Sequence, residues 1–334
     1  MRVLFIGGTG NISASCARLC VERGMEVFLL NRGQRDVAIG GARALVADAR
    51  DPAQLASAVG TLQFDAVADF VAYTPEDVER DFALFAGRTR QYLFISSTAA
   101  YHKPLPCPAT ESTPLKNPFW EYARQKIACE DRLTALWRER DFPVVIVRPS
   151  LTYATLWPVA IGARDDLTLV ARMRRGGELI VHGDGTSLWT LTHSDDFARG
   201  FVGLLGNGAA LGHAVHITSD EVLTWDRIYA TIAEAAGVEA KLVHVPSEFL
   251  AGLSERWRGT LLGDKAHSAV FDNTKIRRLV PAFAATIPFH VGARMTLEWF
   301  MARPQRQRTS PESDAQMDAA LAAWRRAQGA ARPE

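Results

Sequence analysis

Arg2-Val-Leu-Phe-Ile6, followed by Gly7-Gly-Thr-Gly-Asn-Ile-Ser13, is the stretch that decides the fold. The apolar run predicts a buried strand, and the helical pattern after the glycines ends at Gly24, a typical helix stop. Glycines permit a tight turn, and the N–H groups that begin a helix attract anions such as a pyrophosphate. The arrangement predicts a dinucleotide-binding turn, with an ordinary tight turn as the alternative. Its candidate cofactor contacts are Gly7, Gly10, Asn11 and Ile12.

The second predicted strand, Glu26–Leu30, ends in Asn31-Arg32-Gly33-Gln34-Arg35 and has no carboxylate there. An acidic residue at this point would bind the ribose 2′-hydroxyl of NAD. Asn31 with Arg32 and Arg35 leaves room and positive charge for the 2′-phosphate of NADP. NADP is therefore the preferred cofactor. NAD stays open, because an arginine in a surface turn is often only solvated.

The third predicted strand, Arg43–Asp48, does end in a carboxylate. Asp48, which precedes Ala49, can accept a hydrogen bond from the amino group of an adenine. The alternative is a role in capping, because Asp51-Pro52 begins the next predicted helix. Asp48 and Ala49 are the candidates for the adenine side of the cofactor.

Tyr122 and Lys126 are four residues apart in the predicted helix Phe119–Arg140, so their side chains share one face. A neighbouring ammonium lowers the pKa of a phenol, and such a pair can exchange protons with a carbonyl or an alcohol. Ser97 ends the predicted strand Tyr92–Ser97, where its hydroxyl can hydrogen-bond the reacting oxygen. Tyr-x-x-x-Lys alone is common on amphipathic helices. Together with the glycine turn, however, Ser97, Tyr122 and Lys126 predict a catalytic site for hydride transfer.

Strands alternate with helices up to about residue 150, which predicts an α/β fold with a Rossmann-type, doubly wound parallel sheet. The 334 residues exceed one ordinary domain. We expect a dinucleotide-binding domain over 1–150 and a smaller, mainly substrate-binding α/β domain over 151–302. A linker and an amphipathic helix then occupy 303–334. Met317, Leu321 and Trp324 share one face of that helix, which we expect to be buried on the substrate domain or on a partner subunit.

The ordered motifs resemble those of the extended short-chain dehydrogenase/reductase family, in its epimerase/dehydratase branch or as an atypical member, over nearly the whole chain. They are Gly7…Gly10…Ser13, the Asp48 position, Ser-Ser-Thr-Ala-Ala-Tyr101, Tyr122-x-x-x-Lys126, Val147-Arg148-Pro149-Ser150, Gly183-Asp184-Gly185, Thr192–Asp196 and Phe271–Lys275. The resemblance implies that Ser97 and Tyr122 act on the substrate oxygen, that Lys126 holds the nicotinamide ribose, and that Pro149 borders the cofactor. By analogy it also suggests a homodimer, paired through the tyrosine-bearing helix.

Two departures from the family pattern narrow the expected chemistry. The sugar-nucleotide dehydratases have Asp and Glu after the catalytic hydroxyl residue, where this chain has Thr98 and Ala99, so an elimination is not expected. The sugar-nucleotide enzymes have an arginine after Gly-Asp-Gly that binds the substrate diphosphate, where this chain has Trp189. A tryptophan can stack on a ring but cannot neutralise phosphate. A nucleotide-sugar substrate is therefore disfavoured, unless an arginine from elsewhere supplies the charge.

Candidate substrate residues follow strand ends, where open α/β sheets bind ligands. The segment Leu151–Asp166 follows the sixth strand and is the candidate substrate loop. Taken one by one, the tyrosines are more typical of packing, and His193 of a hydrogen-bonded interdomain residue. Together the aromatic residues predict an apolar pocket for a ring. The substrate candidates are Tyr73, Thr98, Tyr101, Tyr153, Trp157, Trp189 and His193.

Charge and composition limit the classes of molecule that the protein is expected to bind. A formal net charge of +1 gives no bulk attraction to nucleic acid or to anionic membranes. No apolar stretch approaches the length of a membrane span, and Met1–Ile6 is too short for a signal-peptide core. We therefore expect a cytoplasmic protein with a small-molecule substrate and with neither a nucleic-acid nor a membrane partner. The four cysteines and eight histidines show no metal-ligand spacing, so no metal site is expected.

Three functions stay open. The favoured one is an NADP-preferring oxidoreductase that reduces a ketone, or oxidises a secondary alcohol, on a small cyclic or sugar-like molecule. The second is a sugar or nucleotide-sugar epimerase, which oxidises and reduces with the same tightly bound cofactor. The third is a non-catalytic, atypical member that uses its nucleotide domain for RNA binding or nucleotide sensing. The presence of Ser97, Tyr122 and Lys126 argues against the third.

Overall fold

The structure is a computed structural model that describes residues 1–34 and 37–330. Its strands are β1 (Arg2–Ile6), β2 (Glu26–Asn31), β3 (Arg43–Val46), β4 (Ala66–Asp69), β5 (Tyr92–Ile95), β6 (Val144–Pro149), β7 (Leu151–Tyr153), β8 (Glu178–His182), β9 (Leu188–His193), β10 (Ala214–Ile217), β11 (Val222–Thr224) and β12 (Lys241–Val245). Its α-helices are α1 (Ser13–Glu22), α2 (Pro52–Val59), α3 (Pro75–Phe85), α4 (Glu121–Arg140), α5 (Thr168–Arg174), α6 (Ser194–Leu204), α7 (Trp225–Ala235), α8 (Ser247–Leu253), α9 (Glu255–Thr260), α10 (Thr274–Leu279), α11 (Phe289–Met301) and α12 (Pro311–Ala330).

The larger sheet of the described chain is parallel and has seven strands in the order β10-β6-β5-β4-β1-β2-β3. In β1, Val3 and Phe5 pack on the side of α1 and α6, whereas Leu4 and Ile6 pack on the side of α2, α3 and α4. A strand covered on both faces needs apolar side chains at every position, which explains its unbroken apolar run. The predicted doubly wound α/β fold is confirmed.

The fourth and fifth strands are shorter than the sequence pattern predicts. We predict Asp65–Ala72 for the fourth, but β4 ends at Asp69, because its carboxylate accepts hydrogen bonds from the N–H groups of Val71 (2.6 Å) and Ala72 (2.8 Å). These bonds form a local turn in place of a sheet ladder. The fifth ends at Ile95. The residues after both strands are therefore directed to the edge of the sheet, where the site lies.

The smaller domain contains two further sheets within the described ranges, β11-β9-β7 and β12-β8. Its core is built around large aromatic side chains that are almost fully buried, among them Trp157, Trp189 and Trp225. Helix α12 packs onto this core through Met317 and Leu321, and Trp324 meets Phe249 edge-on at 5.1 Å. The apolar face of the C-terminal helix is thus buried within its own chain.

After residue 150 the chain contributes another strand and another helix to the layers of the large sheet, so the two domains do not separate cleanly at residue 150 as expected. Strand β10 pairs with β6 in parallel, and α6 packs against α1 on the same layer. Without β10, the buried strand β6 would form an open edge of the sheet. Segments between 194 and 217 therefore belong structurally with the large sheet. No helix of the described residues is long and apolar enough to cross a membrane.

Candidate active site

A cavity of about 580 Å³ runs along the carboxyl ends of β1 to β6. It brings together Ser97, Tyr122 and Lys126 with the glycine turn. A volume of this order suits a bound small molecule or cofactor. The other predicted cofactor residues that line it are Gly7, Gly10, Asn11, Ile12, Asn31, Arg32, Asp48, Ala49 and Pro149. Arg35, also predicted at the cofactor, lies outside the described residues.

The glycine turn is held by its neighbours. Gly7 has φ +81°, and a Cβ there would lie 2.4 Å from Val71 Cγ1, so a larger residue would be strained. Ser13 stands where a third glycine is typical, and its hydroxyl accepts from Gly10 N–H (2.8 Å) and donates to the Gly7 carbonyl (2.7 Å). The serine therefore closes the turn with its own side chain.

The donors at this turn fit an anionic cofactor. The N–H groups of Asn11 and Ile12, just before α1, have no acceptor within the described part of the chain. The side chain of Asn11 is otherwise engaged, since it accepts from Thr155 N–H (2.9 Å) and from the Thr155 hydroxyl (3.1 Å). Free N–H groups at the positive end of a helix are the donor set that a pyrophosphate requires. The turn also fastens the loop after β7 to the cofactor side of the cavity.

Polar groups follow the ends of β2 and β3. The Asn31 side chain accepts from Gly33 N–H (2.8 Å), and the Asp48 carboxylate accepts from Arg50 N–H (3.0 Å). Asp51, and not Asp48, caps α2. Arg32 and Arg50 are both exposed and line the cavity, so two guanidinium groups lie at the end where a carboxylate would select NAD. Sequence reasoning missed Arg50.

Lys126 lines the cavity, although its side chain is almost fully buried. Its ammonium donates to the carbonyls of Ala72 (2.7 Å) and Ile95 (2.8 Å), the residues that follow or end β4 and β5, and it lies 4.4 Å from the centre of the Tyr73 ring. Burial lowers the pKa of Lys126 from 10.5 to about 8, although Asp69 partly opposes the shift. The lysine is therefore still protonated at neutral pH.

Tyr122 lies one turn before Lys126 on α4 and is half-buried against Trp120, with the ring centres 4.8 Å apart. Burial raises the pKa of Tyr122 well above its usual value and Tyr73 raises it further, while the Ser97 hydrogen bond opposes the shift. This corrects the expectation that the lysine lowers the phenol pKa, because the ammonium is directed to two carbonyls and lies 5.9 Å from the Tyr122 ring centre. The phenol is therefore protonated at neutral pH.

Ser97 begins the short 3-10 turn Thr98–Ala100 that follows β5, and its hydroxyl accepts from Ala99 N–H at 3.1 Å. This contact fixes the side chain at the sheet edge, and Ser97 and Tyr122 both line the cavity. A serine and a protonated tyrosine therefore present two hydroxyl groups to the same cavity. Such a pair can hydrogen-bond a substrate oxygen and transfer a proton to it.

The predicted substrate residues divide into two groups. Tyr73 and Thr98 line the cavity, whereas five others do not. Those five are buried in the core: Tyr101, Tyr153, Trp157, Trp189 and His193. The expectation that they contact substrate is therefore corrected, since large aromatic side chains gain more from burial than from lining a wet cavity.

Contacts within the protein explain these placements. The Tyr101 hydroxyl accepts from Arg148 Nη1 (3.1 Å), and Trp157 stacks on Phe300 with ring centres 5.6 Å apart. Trp189 packs against Trp225 at 5.1 Å, and Tyr153 meets His193 edge-on at 5.2 Å. His193 itself caps α6, because its Nδ1 accepts from Asp195 N–H at 3.2 Å.

The structure also brings residues to the cavity that the motifs do not single out. Trp120, Arg164, Asp264 and Lys265 line it. Arg164 lies in the predicted substrate loop, and Trp120 is two residues before Tyr122, so the sequence position of each could have indicated that it lines the cavity. Asp264 and Lys265 come from a π-helical segment, Leu261–Lys265, and no motif in the sequence indicated their position at the cavity. No group of three or more His, Cys, Asp or Glu side chains within 1–34 and 37–330 is arranged to hold a metal ion.

Comparisons with known proteins agree with this geometry. Residues 3–218 match the model of the NAD-dependent epimerase/dehydratase family. The chain is 27% identical over 285 residues to a 2'-dehydrokanamycin reductase of Streptomyces kanamyceticus, across 85% of this chain and 80% of the relative. It is 25% identical over 264 residues to the chloroplast stem-loop binding protein of 41 kDa b of Arabidopsis thaliana, across 74% of this chain and 67% of the relative.

Among solved structures, the UDP-glucose 4-epimerase of Thermus thermophilus in complex with NAD has a TM-score of 0.70 at 21% identity. That alignment covers 89% of this chain and 98% of the epimerase, so the two share the fold across both domains. The family match extends from β1 past β10, over the glycine turn, Ser97, Tyr122 and Lys126. The chain therefore belongs to the NAD-dependent epimerase/dehydratase family and is an oxidoreductase or epimerase of that family.

Proposed function

We propose that the protein is an NADP-preferring reductase that converts the ketone of a small cyclic or sugar-like molecule to an alcohol. The observation that carries the proposal is the convergence of Ser97, Tyr122 and Lys126 on the cavity that the glycine turn also lines. The 2'-dehydrokanamycin reductase among the relatives supports a sugar-like ketone as the substrate class.

The cavity residues divide the task of holding the cofactor. The N–H groups of Asn11 and Ile12 would bind the pyrophosphate, and Asp48 would accept from the adenine. Arg32 and Arg50 would pair with a 2′-phosphate, which is the reason for the NADP preference. When bound, the cofactor supplies a hydride at nicotinamide C4. Lys126, which lines the cavity, would hold the nicotinamide ribose.

The protonation states favour reduction at neutral pH. The protonated phenol of Tyr122 gives its proton to the substrate oxygen, while the Ser97 hydroxyl donates a hydrogen bond to the same oxygen. Lys126, with its pKa of about 8, is charged at neutral pH, so its ammonium would donate to a ribose hydroxyl of the cofactor. Oxidation of an alcohol would need the phenolate, which the raised pKa of Tyr122 disfavours.

An epimerase is the second candidate, because it would use the same three residues. The two reactions differ in cofactor balance, since an epimerase regenerates its cofactor in each turnover. The experiment incubates the protein with NADPH and a panel of keto-sugars, and in parallel with NADP⁺ and the sugars that carry a hydroxyl in place of the ketone. It measures NADPH absorbance together with product stereochemistry. We expect stoichiometric NADPH loss and one new alcohol. Epimerised product with no net NADPH loss would overturn the reductase proposal.

A non-catalytic RNA-binding role is the third candidate, favoured only by the stem-loop binding relative. The test is fluorescence anisotropy of a labelled RNA stem-loop with the full chain, at physiological salt and with or without NADP. We expect no binding beyond that of a neutral control protein, since the formal net charge is +1. Tight, NADP-sensitive stem-loop binding together with no ketone reduction would favour the RNA-binding role.

The NADP preference has its own measurement. We propose that kcat/KM is higher with NADPH than with NADH and that Arg32→Glu reverses the order, because a carboxylate there repels a 2′-phosphate and can bind a 2′-hydroxyl. Equal use of both cofactors by the unmodified protein would refute the preference and leave the reductase proposal intact. A homodimer through α4 stays a proposal by analogy, to be tested by analytical ultracentrifugation.

A further inference from the structure

One part of the cavity carries an excess of positive charge. Arg164, Asp264 and Lys265 line it, and Lys103 contacts Asp264 with its Nζ 3.2 Å from the carboxylate. These four residues carry three positive charges and one negative charge. They lie apart from the glycine turn in sequence, on the loop after β7, the segment after the 3-10 turn 98–100, and the π-helical segment 261–265. This excess of positive charge favours an anionic ligand.

Arg164 is held in place without an anionic partner. Its Nε donates to the Trp157 carbonyl at 2.9 Å, and Trp157 N–H donates back to the Arg164 carbonyl at 2.7 Å. Trp157 is in turn fixed in the core by stacking on Phe300. Within the described chain no carboxylate lies within 4.0 Å of the Arg164 guanidinium. Asp165 acts on the charge of Arg164 but forms no ion pair with it. A half-buried guanidinium that is anchored in this way, with no carboxylate in direct contact, is pre-organised for a carboxylate or a phosphate.

Lys265 extends this positive region toward the reacting groups. Its side chain is almost fully buried, and its Nζ lies 5.5 Å from the centre of the Trp120 ring, which is 4.8 Å from the Tyr122 ring. Asp264 is 3.4 Å from Lys265 but is shared with Lys103, so one carboxylate serves two ammonium groups. The Lys265 carbonyl is bound by His182 Nε2 at 2.8 Å, which fixes the end of the segment.

We propose that the substrate is an anionic sugar-like ketone whose carboxylate or phosphate binds between Arg164 and Lys265 while its ring lies against Trp120. The inference rests on the proposed function and deepens it by naming the substrate class. The chemistry shared by the two candidate groups is a compact oxyanion, which matches the guanidinium fork of Arg164. An amino sugar would instead place an ammonium among three cations.

The local pKa shifts agree with this assignment. Burial and the neighbouring Arg256 lower the pKa of Arg164 to about 10, although Asp165 partly opposes the shift. Burial also lowers the pKa of Lys265, against the effect of Asp264, and Arg164 adds to the shift. A cation whose pKa is lowered by a neighbouring cation is stabilised when an anion binds between the two. Arg164 is still charged at neutral pH, so the site is ready for an anion.

The experiment measures binding by calorimetry to the full chain loaded with NADP, so that it does not depend on turnover. The probes share one ring and differ in charge: glucuronate, glucose 6-phosphate, glucose and glucosamine. We expect both anions to bind at least tenfold more tightly than glucose, and glucosamine to bind most weakly, given that charge-assisted hydrogen bonds discriminate by roughly ten- to hundredfold. The tighter of the two anions identifies the group as a carboxylate or a phosphate.

Variants assign the preference to its residues. Arg164→Gln and Lys265→Gln should each lower anion affinity by roughly tenfold or more while leaving glucose binding unchanged. Arg164→Lys keeps the charge but not the fork, so it should retain more of the preference than Arg164→Gln and less than the unmodified protein. Arg138→Gln, a matched control at an exposed arginine near the end of α4 that does not line the cavity, should retain all of it.

Three results would overturn the proposal. They are equal or tighter binding of glucose or glucosamine, no binding of either anion at millimolar concentration, and an Arg164→Gln variant that weakens only NADP binding. The last would assign the arginine to the cofactor. A protein that binds the anions as expected but never consumes NADPH would uphold the anion site and refute the reductase function, so the two failures are distinguishable.

Discussion

Glu130→Ala would leave the guanidinium of Arg148 without its carboxylate inside the protein. Arg148 Nε lies 2.9 Å from Glu130 Oε1, and both side chains are almost fully buried, at 6% and 3% exposure. The same carboxylate accepts from the Ser96 hydroxyl at 2.5 Å, so it joins α4 to the residue before Ser97. Removing one partner of a buried ion pair costs about 3–5 kcal/mol, because the remaining charge is left unpaired. We expect a loss of that size in the free energy of unfolding.

Equilibrium urea unfolding, followed by circular dichroism, measures this loss. Glu130→Gln is the matched control, because an amide oxygen still accepts from Arg148 and Ser96, and it should lose clearly less than the alanine variant. The double variant Glu130→Met with Arg148→Met removes both charges and should recover part of the stability. A loss below about 1 kcal/mol for Glu130→Ala, the range of an exposed pair, would refute the reasoning that this buried pair fastens α4 to β5 and β6.

Three further expectations follow from particular contacts. Because Lys126 has a pKa of about 8, the rate of ketone reduction should fall as the pH rises through 8. Lys126→Arg should move this alkaline limb of the kcat/KM profile to higher pH. An unchanged limb would contradict the role of a charged Lys126 in the reaction. The pKa of Lys126 in the folded protein lies below the ordinary 10.5, so between about pH 8 and 10.5 the unfolded state binds more protons than the folded state. The difference in unfolding free energy between the unmodified protein and Lys126→Met should therefore rise over this range and stay constant below about pH 8. Urea titrations at several pH values measure this difference. Leu321→Ala truncates a side chain that is only 3% exposed between α12 and the smaller domain, and it should lower the unfolding free energy by about 2–5 kcal/mol. Ala319→Ser, at an exposed position of the same helix, should change the unfolding free energy little. Equal effects of the two substitutions would show that α12 does not pack on the smaller domain.

The sequence is most informative where local pattern decides structure. The strand before Gly7, the turn and the helix after it are predicted correctly, because an apolar run and a glycine turn act over a few residues. The spacing of Tyr122 and Lys126 likewise places both on one helix face, and both line the cavity. The lysine contacts depend on the ends of β4 and β5, however, so their direction and the effect on the Tyr122 pKa are not readable from the spacing.

Prediction is weakest where long-range packing decides which side chain meets the cavity. Trp157 and Trp189 look like ring-binding residues in the sequence, but the structure places both in the core of the smaller domain. Lys265 is far from the motifs and reaches the cavity only through the packing of Gly263 against Trp120, where a Cβ would lie 2.9 Å from the tryptophan Cβ. The return of β10 to the large sheet is non-local in the same way.

The most direct test of the central claim is the rate of ketone reduction by Tyr122→Phe. Loss of the proton donor should lower kcat/KM by roughly 10²–10⁴-fold while the affinity for NADPH is unchanged, because general acid catalysis contributes about that much. Tyr153→Phe is the matched control, since it removes a buried tyrosine hydroxyl that does not line the cavity, and it should keep the activity. A Tyr122→Phe protein that reduces the ketone as fast as the unmodified enzyme would contradict the account.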